Sequence, residues 1–275
     1  MEGKKYLKLQ KIYLTLVFIF LYAPIVVLIL FSFNESKSRA SFTGFTFDWY
    51  IELFSDRQIM QATMYTVLIA LISSVVSTII GVVTVIGLGT RKSKYRKAIL
   101  TINNLPILNP DIVTGISLMI LFITVFNFLG FGELGFATML LAHIIFNIPY
   151  AILTILPKYQ SLDKNLLEAA LDLGATRSQA ILKVILPELK TAIFSALVLT
   201  ITLSLDDFII SFFTTGNGVS NISILVYSMA RRGINPKINA LSTILFAFVI
   251  GLLLLNNMLS KKNNKNNKNN KNVIT

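Results

Sequence analysis

Long apolar stretches separated by short polar segments dominate the sequence. Each stretch reaches or exceeds the roughly 20 residues with which a helix crosses the hydrocarbon core of a bilayer. We therefore predict an all-α, polytopic membrane protein with about six transmembrane helices. The predicted spans are residues 12–33, 64–88, 98–129, 136–156, 192–213 and 238–258.

These spans divide the chain into an N-terminal segment of residues 1–11, a transmembrane domain of residues 12–259 and a tail of residues 260–275. The first apolar stretch is longer than the core of a signal peptide and no small-residue cleavage site follows it, so we predict a retained helix. The tail repeats Asn and Lys and is predicted to be disordered, because such a composition cannot bury a core. Residues 34–62 and 214–237 are predicted to be external, the second as an irregular loop.

Two spans carry internal signals. The third is too long for one straight crossing, and Asn109 and Pro110 interrupt it, with Asn109 as the expected cap and Pro110 as the first helical residue. Such a break either lines a transport pathway or is an ordinary proline kink. The second span places Ser73, Ser77 and Gly81 four residues apart, a pattern for close helix packing.

The segment of residues 158–190 is polar, predicted to be helical and placed between two spans. One helical face of apolar residues ends at Gly174, a residue that favours the left-handed conformation after a helix. Thr176 and Gln179 then have the spacing of a capping box, and Pro187 is expected to end the second helix. The segment is either an amphipathic loop on the membrane surface or a docking surface, with Ala169 and Ala170 allowing close approach.

The charge pattern orients the chain. A net charge of +12 would suggest nucleic acid for a soluble protein, but here 19 of the 25 Lys and Arg residues fall on the same side as the N-terminus. The positive-inside rule makes that side cytoplasmic, together with both termini and residues 158–190. We therefore expect contact with membrane lipid and no nucleic-acid partner.

Composition also narrows the chemistry. The chain has no cysteine and one histidine, His143, which with Asn147 is expected to form hydrogen bonds across the helix bundle. A zinc site or a Ser-His hydrolase is therefore improbable, and we expect no metal or catalytic residue. No GxxxxGK[ST] motif occurs, so we expect no ATPase site and no cofactor in this chain.

Three carboxylates lie within or at the edge of predicted spans: Asp111, Asp206 and Asp207. Each would cost about 2.5–3.5 kcal/mol facing lipid at the centre of a bilayer, so each is expected to face protein or water. They are candidates for a cation pathway. The structural alternatives are a favourable helix-dipole position for Asp111 and a kink for the adjacent pair, of which only one member is expected to point at a pathway.

Glu168-Ala169-Ala170, followed after three residues by Gly174 and after eleven more by Leu186-Pro187, resembles the EAA loop of ABC-importer permeases. One departure is Val184, where the family usually has Ile. The resemblance implies the type I permease fold and an ATPase-coupling role for Glu168, Ala169, Ala170, Gly174, Leu186 and Pro187. It also implies two cytoplasmic ATPase subunits that use ATP, a second homologous permease, an external binding protein and alternating access across a bacterial inner membrane.

Three further stretches, NPDIVTGISLMILF, SLDDFIISFFTTG and ILVYSMARRGINPKINALSTIL, resemble the PotC-type permeases of spermidine and putrescine importers. A polyamine would need carboxylates for its ammonium groups and aromatic rings for its methylene chain. The aromatic candidates are Phe208, Phe212 and Tyr227. Alternatives are the same scaffold with another substrate such as Fe(III) or an anion, an ATP-independent secondary transporter or channel, and an intramembrane hydrolase.

Overall fold

The computed structural model describes residues 2–36, 41–89, 93–130, 132–163, 165–232, 236–251 and 254. Helices form most of this described chain, together with one isolated antiparallel bridge between Asn34 and Phe45. The α-helices are α1 (Glu2–Phe31), α2 (Asp48–Ser55), α3 (Arg57–Gly89), α4 (Ser93–Leu108), α5 (Asp111–Leu129), α6 (Phe136–Gln160), α7 (Leu166–Asp172), α8 (Arg177–Ala180), α9 (Leu186–Asp206), α10 (Ile209–Thr214), α11 (Ile222–Arg232) and α12 (Pro236–Gly251).

Five described helices are long and apolar enough to cross a membrane, and each overlaps one of the first five predicted spans. They are Leu9–Phe31, Arg57–Gly89, Asp111–Leu129, Phe136–Gln160 and Arg177–Asp206. The shorter helix α12 covers the first part of the predicted sixth span; its last part lies outside the described residues apart from residue 254. The fold is therefore that of a multi-pass, all-α membrane protein. The predicted disordered tail, 260–275, also lies outside the described residues.

The chain forms two compact units, Met1–Met60 with Val226–Phe248 and Gln61–Leu225 with Val249–Thr275. In the first unit, an aromatic cluster follows α1, with Phe33 stacked on Phe45 at 5.1 Å and on Tyr50 at 5.2 Å between ring centroids. The buried Trp49 donates its indole N–H to the carbonyl of Asn34 at 2.7 Å. These contacts pack the aromatic side chains that follow α1 against one another.

The second unit is built around α6, which packs along α9, while α10 packs against α5 and α6. Its largest described core cluster includes the fully buried Val85, Ile155 and Leu189. The small-residue stripe of α3 lies in this interior: Ser73 and Ser77 are fully buried, and a Cβ placed on Gly81 would lie 3.0 Å from the Cβ of Ala151. The predicted close packing of α3 is thus present.

The interruption at Asn109 and Pro110 is present, but its cap differs from the prediction. Pro110 has an extended ψ of 137°, so it precedes the helix, and Asp111 is the first residue of α5. The Pro110 carbonyl accepts the N–H groups of Val113 and Thr114, and no side chain caps this end. The prediction that Asn109 caps a helix beginning at Pro110 is wrong by one residue, because an extended proline supplies its carbonyl instead.

The prediction that Pro187 ends a helix is also wrong. Helix α8 continues through a π-helical turn, Ile181–Ile185, directly into α9. In this turn Leu186 donates its N–H to the carbonyl of Ile181, five residues back. A widened turn accommodates a proline within a helix, because proline lacks an N–H and its ring clashes with a carbonyl in regular α geometry. Residues Arg177–Asp206 therefore form one continuous helix of 30 residues.

The segment 214–237, predicted as an irregular loop, contains α11. The side chain of Asn221 accepts the N–H of Ile224 at 2.9 Å, which caps the start of this helix. Ile222, Leu225, Val226 and Met229 follow at helical spacing, a signal that the sequence carried.

Candidate functional site

A break in the fifth span forms the centre of the candidate site. Helix α9 ends at Asp206, Asp207 is extended with ψ 125°, and α10 begins at Ile209. The Asp207 carboxylate accepts the N–H groups of Ile210 at 3.2 Å and Ser211 at 2.8 Å. These bonds satisfy backbone donors that a new helix leaves unpaired inside a membrane. The predicted fifth span, 192–213, therefore contains a helix break at the aspartate pair, where a kink was the structural alternative.

A cavity of about 400 Å³ opens beside this break. It brings together four of the six predicted pathway residues: Asp111, Asp206, Asp207 and Phe208. The remaining lining residues are Phe146, Thr202, Leu203 and Ile209. Asp111 comes from the start of α5 and the other two carboxylates from the end of α9, so two helix interruptions meet at one cavity.

The three carboxylates differ in their surroundings. Asp111 and Asp206 are exposed in this chain, and within the part of the chain that the structure describes no side chain pairs with the Asp206 carboxylate. The Asp207 side chain is only 8% exposed, and its oxygens are engaged by hydrogen bonds. Asp206 is therefore the member of the adjacent pair that is open to a ligand, and Asp207 is the member that holds the backbone.

The predicted aromatic residues lie in two places. Phe208 lines the cavity, and its ring centroid is 5.4 Å from that of Phe212, which is half exposed. Tyr227 belongs to the other compact unit, on α11, where the Arg231 guanidinium lies 5.7 Å from its ring centroid. Phe208 therefore lies beside the carboxylates, and Phe212 lies next to Phe208. Tyr227 instead makes a cation–π contact with Arg231.

Buried polar side chains link the helices of this unit. Asn147 donates to the Ser204 hydroxyl at 2.7 Å, which is the predicted hydrogen bond across the bundle. The ring Nε2 of His143 lies 2.9 Å from the Ser211 hydroxyl and 3.5 Å from an Asp207 oxygen. Asn221 donates to the same hydroxyl at 2.7 Å. Ser211 and Asn221 are not among the predicted site residues. Ser211 lies within the stretch SLDDFIISFFTTG, but a serine or an asparagine carries no signal of its own in a sequence.

The polar segment between α6 and α9 has the predicted helix–glycine–helix form. Gly174 has φ +83°, and Thr176 and Gln179 form the capping box, with backbone-to-side-chain distances of 2.9 and 3.3 Å. Glu168 and Ala169 are exposed on α7, Ala170 is buried, and Leu173 is 89% exposed. The helix, the glycine corner and the capped second helix are thus present as predicted.

A second cavity, of about 690 Å³, lies behind this segment. Glu168 lines it together with Asp163, Arg96 and Arg177, so charges of both signs face one space. Leu186 is half-buried and Pro187 is exposed, both in the first turn of α9. The six predicted coupling residues thus lie on one helix–turn–helix unit and its continuation into a span.

Residues 81–260 match the family model described as binding-protein-dependent transport system inner membrane component. This match covers more than half of the chain. The chain belongs to this family. Membership agrees with the five apolar spans and with the resemblance of residues 168–187 to the EAA loop of ABC-importer permeases.

Curated relatives extend this family assignment over nearly the whole chain. The chain is 34% identical over 256 residues to the spermidine/putrescine transport system permease protein PotC of Haemophilus influenzae, covering 93% of this chain and 98% of the relative. It is 36% identical over 239 residues to the putrescine transport system permease protein PotI of Escherichia coli K12, covering 86% of this chain and 85% of the relative.

Solved structures of ABC transporters share the fold. A chain of a bacterial alginate ABC transporter, in complex with a pentasaccharide-bound periplasmic protein, superposes with a TM-score of 0.73. The two chains are 20% identical, and the match covers 94% of this chain and 96% of that one. A chain of the inward-facing MetNI methionine transporter gives a TM-score of 0.57 at 18% identity, covering 75% and 98%. At these identities the similarity establishes the fold alone.

Proposed function

We propose that this permease carries polyamines such as spermidine and putrescine across the cytoplasmic membrane, and that the cavity at the α9–α10 break lies on their path. The observation that carries the proposal is the convergence of Asp111, Asp206 and Asp207 with Phe208 on one cavity. The similarity to PotC and PotI, a spermidine/putrescine and a putrescine permease, supports the choice of substrate.

The chemistry of the cavity suits a flexible polycation. Its described lining contains carboxylates, aromatic and aliphatic side chains and a threonine, and neither Lys nor Arg. An ammonium group would bind the exposed Asp206 or Asp111, and the methylene chain would contact Phe208 and Phe212. The same lining would repel an anion, because its charges would face the carboxylates in a poorly screened space.

The partners in this proposal are two ATPase subunits on the cytoplasmic side, a homologous second permease and an external polyamine-binding protein. Exposed Glu168 and Ala169, with the small Ala170 behind them, would offer α7 to the ATPase. ATP would be used by those subunits, with both termini of this chain in the cytoplasm. Alternating access would then expose the cavity to each side in turn.

The test is uptake by assembled complexes in proteoliposomes, using labelled spermidine and putrescine with Fe(III) and an anion as competing cargoes. Asp206→Asn keeps the size of the side chain and removes its charge. We expect about a tenfold loss of polyamine uptake, the effect of one charged hydrogen bond, and a smaller loss for Asp111→Asn.

The matched control is Asp48→Asn, an exposed acidic residue in the first turn of α2 that lies in the other compact unit. It should leave uptake unchanged. Stimulation of ATP hydrolysis by the loaded binding protein should persist in all variants, which separates cargo recognition from docking. Parent-rate uptake by the Asn variants at 111, 206 and 207 would contradict the proposal, as would import of Fe(III) or the anion in preference to polyamines.

A further inference from the structure

Hydrogen bonds to the hydroxyl of Ser211 join the buried side chains around the helix break. Ser211 donates its hydroxyl proton to Asp207 at 2.8 Å and accepts a proton from Asn221 at 2.7 Å. A serine hydroxyl has one proton to donate and two lone pairs. Its contact with His143 Nε2 at 2.9 Å must therefore be one in which the histidine donates. This count places the ring proton of His143 on Nε2.

His143 is 1% exposed and is the only histidine in the sequence. It projects from α6, whereas Ser211 lies on α10 and Asp207 lies in the connection between α9 and α10, so the contact joins two separate parts of the fold. Within the described structure its Nδ1 atom has no hydrogen-bond partner, so the ring is held through Nε2 alone. The hydrogen bond from His143 Nε2 to Ser211 is therefore the polar contact through which this ring stabilises the site. Its loss would leave a buried N–H group without a partner, which costs free energy.

We propose that His143 is a positioning residue for transport, resting on the function proposed above. Through Ser211 it holds the Asp207 carboxylate against the start of α10, and the fixed break directs Asp206 and Phe208 into the cavity. His143 itself touches no cargo, since it does not line that cavity. Asn221 supports the same hydroxyl from the start of α11 and also donates to the Asp207 carbonyl at 3.2 Å.

Because the sequence contains no cysteine, a single introduced cysteine can report on the break without a competing thiol in this chain. Ile209→Cys places this cysteine immediately after the break. The rate at which its thiol reacts with a labelling reagent then reports the position of α10. Leu203→Cys, on α9 before the break and lining the same cavity, is the matched control. Intact-mass measurement of this subunit in the assembled complex records labelling of this chain alone and requires no cargo.

His143→Leu removes the donor and His143→Gln retains an N–H at a similar distance from the backbone. We expect His143→Leu to change the labelling rate at position 209 about tenfold, as expected for a lost hydrogen bond in a charged network, and to leave position 203 unchanged. His143→Gln should restore the parent rate. Ser211→Ala cuts the same connection with a smaller change in volume, and it serves as the test if His143→Leu does not assemble.

Uptake adds a second readout. His143→Leu should lower spermidine uptake about tenfold. The double variant with Asp206→Asn should lose little more than Asp206→Asn alone, because the main effect of His143→Leu on uptake is through the placement of the Asp206 carboxylate. An unchanged rate at position 209 in assembled His143→Leu and Ser211→Ala complexes would overturn the proposal. Equal changes at positions 203 and 209 would also overturn it, since they would indicate general loosening. If His143→Leu alters labelling at position 209 alone and the parent complex does not import polyamines, the positioning role is supported and the proposed cargo is rejected.

Discussion

At the residue scale, adjacent and chemically identical side chains have been given different environments. Asp206 ends a helix and faces open space, whereas Asp207 is turned inward and accepts three hydrogen bonds from the residues that follow it. A carboxylate whose lone pairs are used by backbone donors is poorly placed to bind an ammonium ion. Asp206 is therefore the candidate for binding a cation, and Asp207 fixes the backbone beside it.

This difference predicts separate consequences for the two aspartates. Asp207→Asn replaces an acceptor-only group with an amide that must present NH₂ to at least one donor, so we expect a loss of about 1–3 kcal/mol of stability. The melting temperature of the purified complex in detergent should fall for Asp207→Asn and stay at the parent value for Asp206→Asn. Equal melting temperatures for both variants would contradict the assignment of Asp207 as the structural member.

At the scale of elements, the predictions from sequence succeeded where the signal was local. The capping box at Thr176 and the left-handed Gly174 follow from residues a few positions apart, and both are present. The break at Asp207 also receives a hydrogen bond from Asn221, which lies 14 residues away and caps α11, and hydropathy contains no trace of that contact. Apolar periodicity likewise continues unchanged through the π-helical turn before α9, so only the mid-helix proline marked an irregularity there.

Packing between α3 and α6 provides a prediction with an internal control. Gly81→Leu places a side chain where even a Cβ is 3.0 Å from Ala151, whereas a Cβ at Gly87 on the same helix meets nothing within 4 Å. We expect Gly81→Leu to cost about 1–3 kcal/mol by overpacking and Gly87→Leu to cost much less. Thermal unfolding of the purified complex measures both, and an equal loss in the two variants would refute the close-packing interpretation.

The turn between α7 and α8 gives a second element-scale prediction. Valine is strained at the φ of +83° that Gly174 adopts, at a cost of about 1–3 kcal/mol, whereas asparagine tolerates this region. Gly174→Val should uncouple ATP hydrolysis from import or weaken co-purification of the ATPase, with membrane insertion intact. Gly174→Asn is the matched control and should behave nearly as the parent. Import by the valine variant at the parent rate would argue against a coupling role for this segment.

At the scale of the whole molecule, the long helices were predictable because membrane-spanning length and apolar composition are properties of single segments. Their grouping around a carboxylate cavity was foreseen only in part: the sequence indicated that Asp111 and Asp206 avoid lipid, but not that two helix interruptions meet. Contacts between segments far apart in sequence decide that arrangement. A single hydropathy profile does not contain them.

The predicted cytoplasmic tail can be tested by deleting residues 263–275. Each lysine near an anionic inner leaflet contributes about 1 kcal/mol of attraction, and removing residues 263–275 leaves Lys261 and Lys262 to hold the C-terminus inside. We expect spermidine uptake to stay near the parent value in proteoliposomes containing equal amounts of complex. A loss greater than several-fold at normal expression would show that the tail has a role beyond topology.

The unbroken helix from Arg177 to Asp206 has a mechanical consequence. Its 30 residues span about 45 Å at the α-helical rise per residue, from the capping box at one end to the carboxylate at the other. The π-helical turn at Ile181–Ile185 lies near the start of this helix, and from Leu186 to Asp206 the helix is regular, so a movement applied beyond that turn is carried along the helix to Asp206. The helix ends directly after Asp206, where Asp207 has an extended backbone. Asp206 therefore lies at the far end of this helix. A partner subunit that moves the start of the helix would also move the carboxylate that is proposed to meet the cargo.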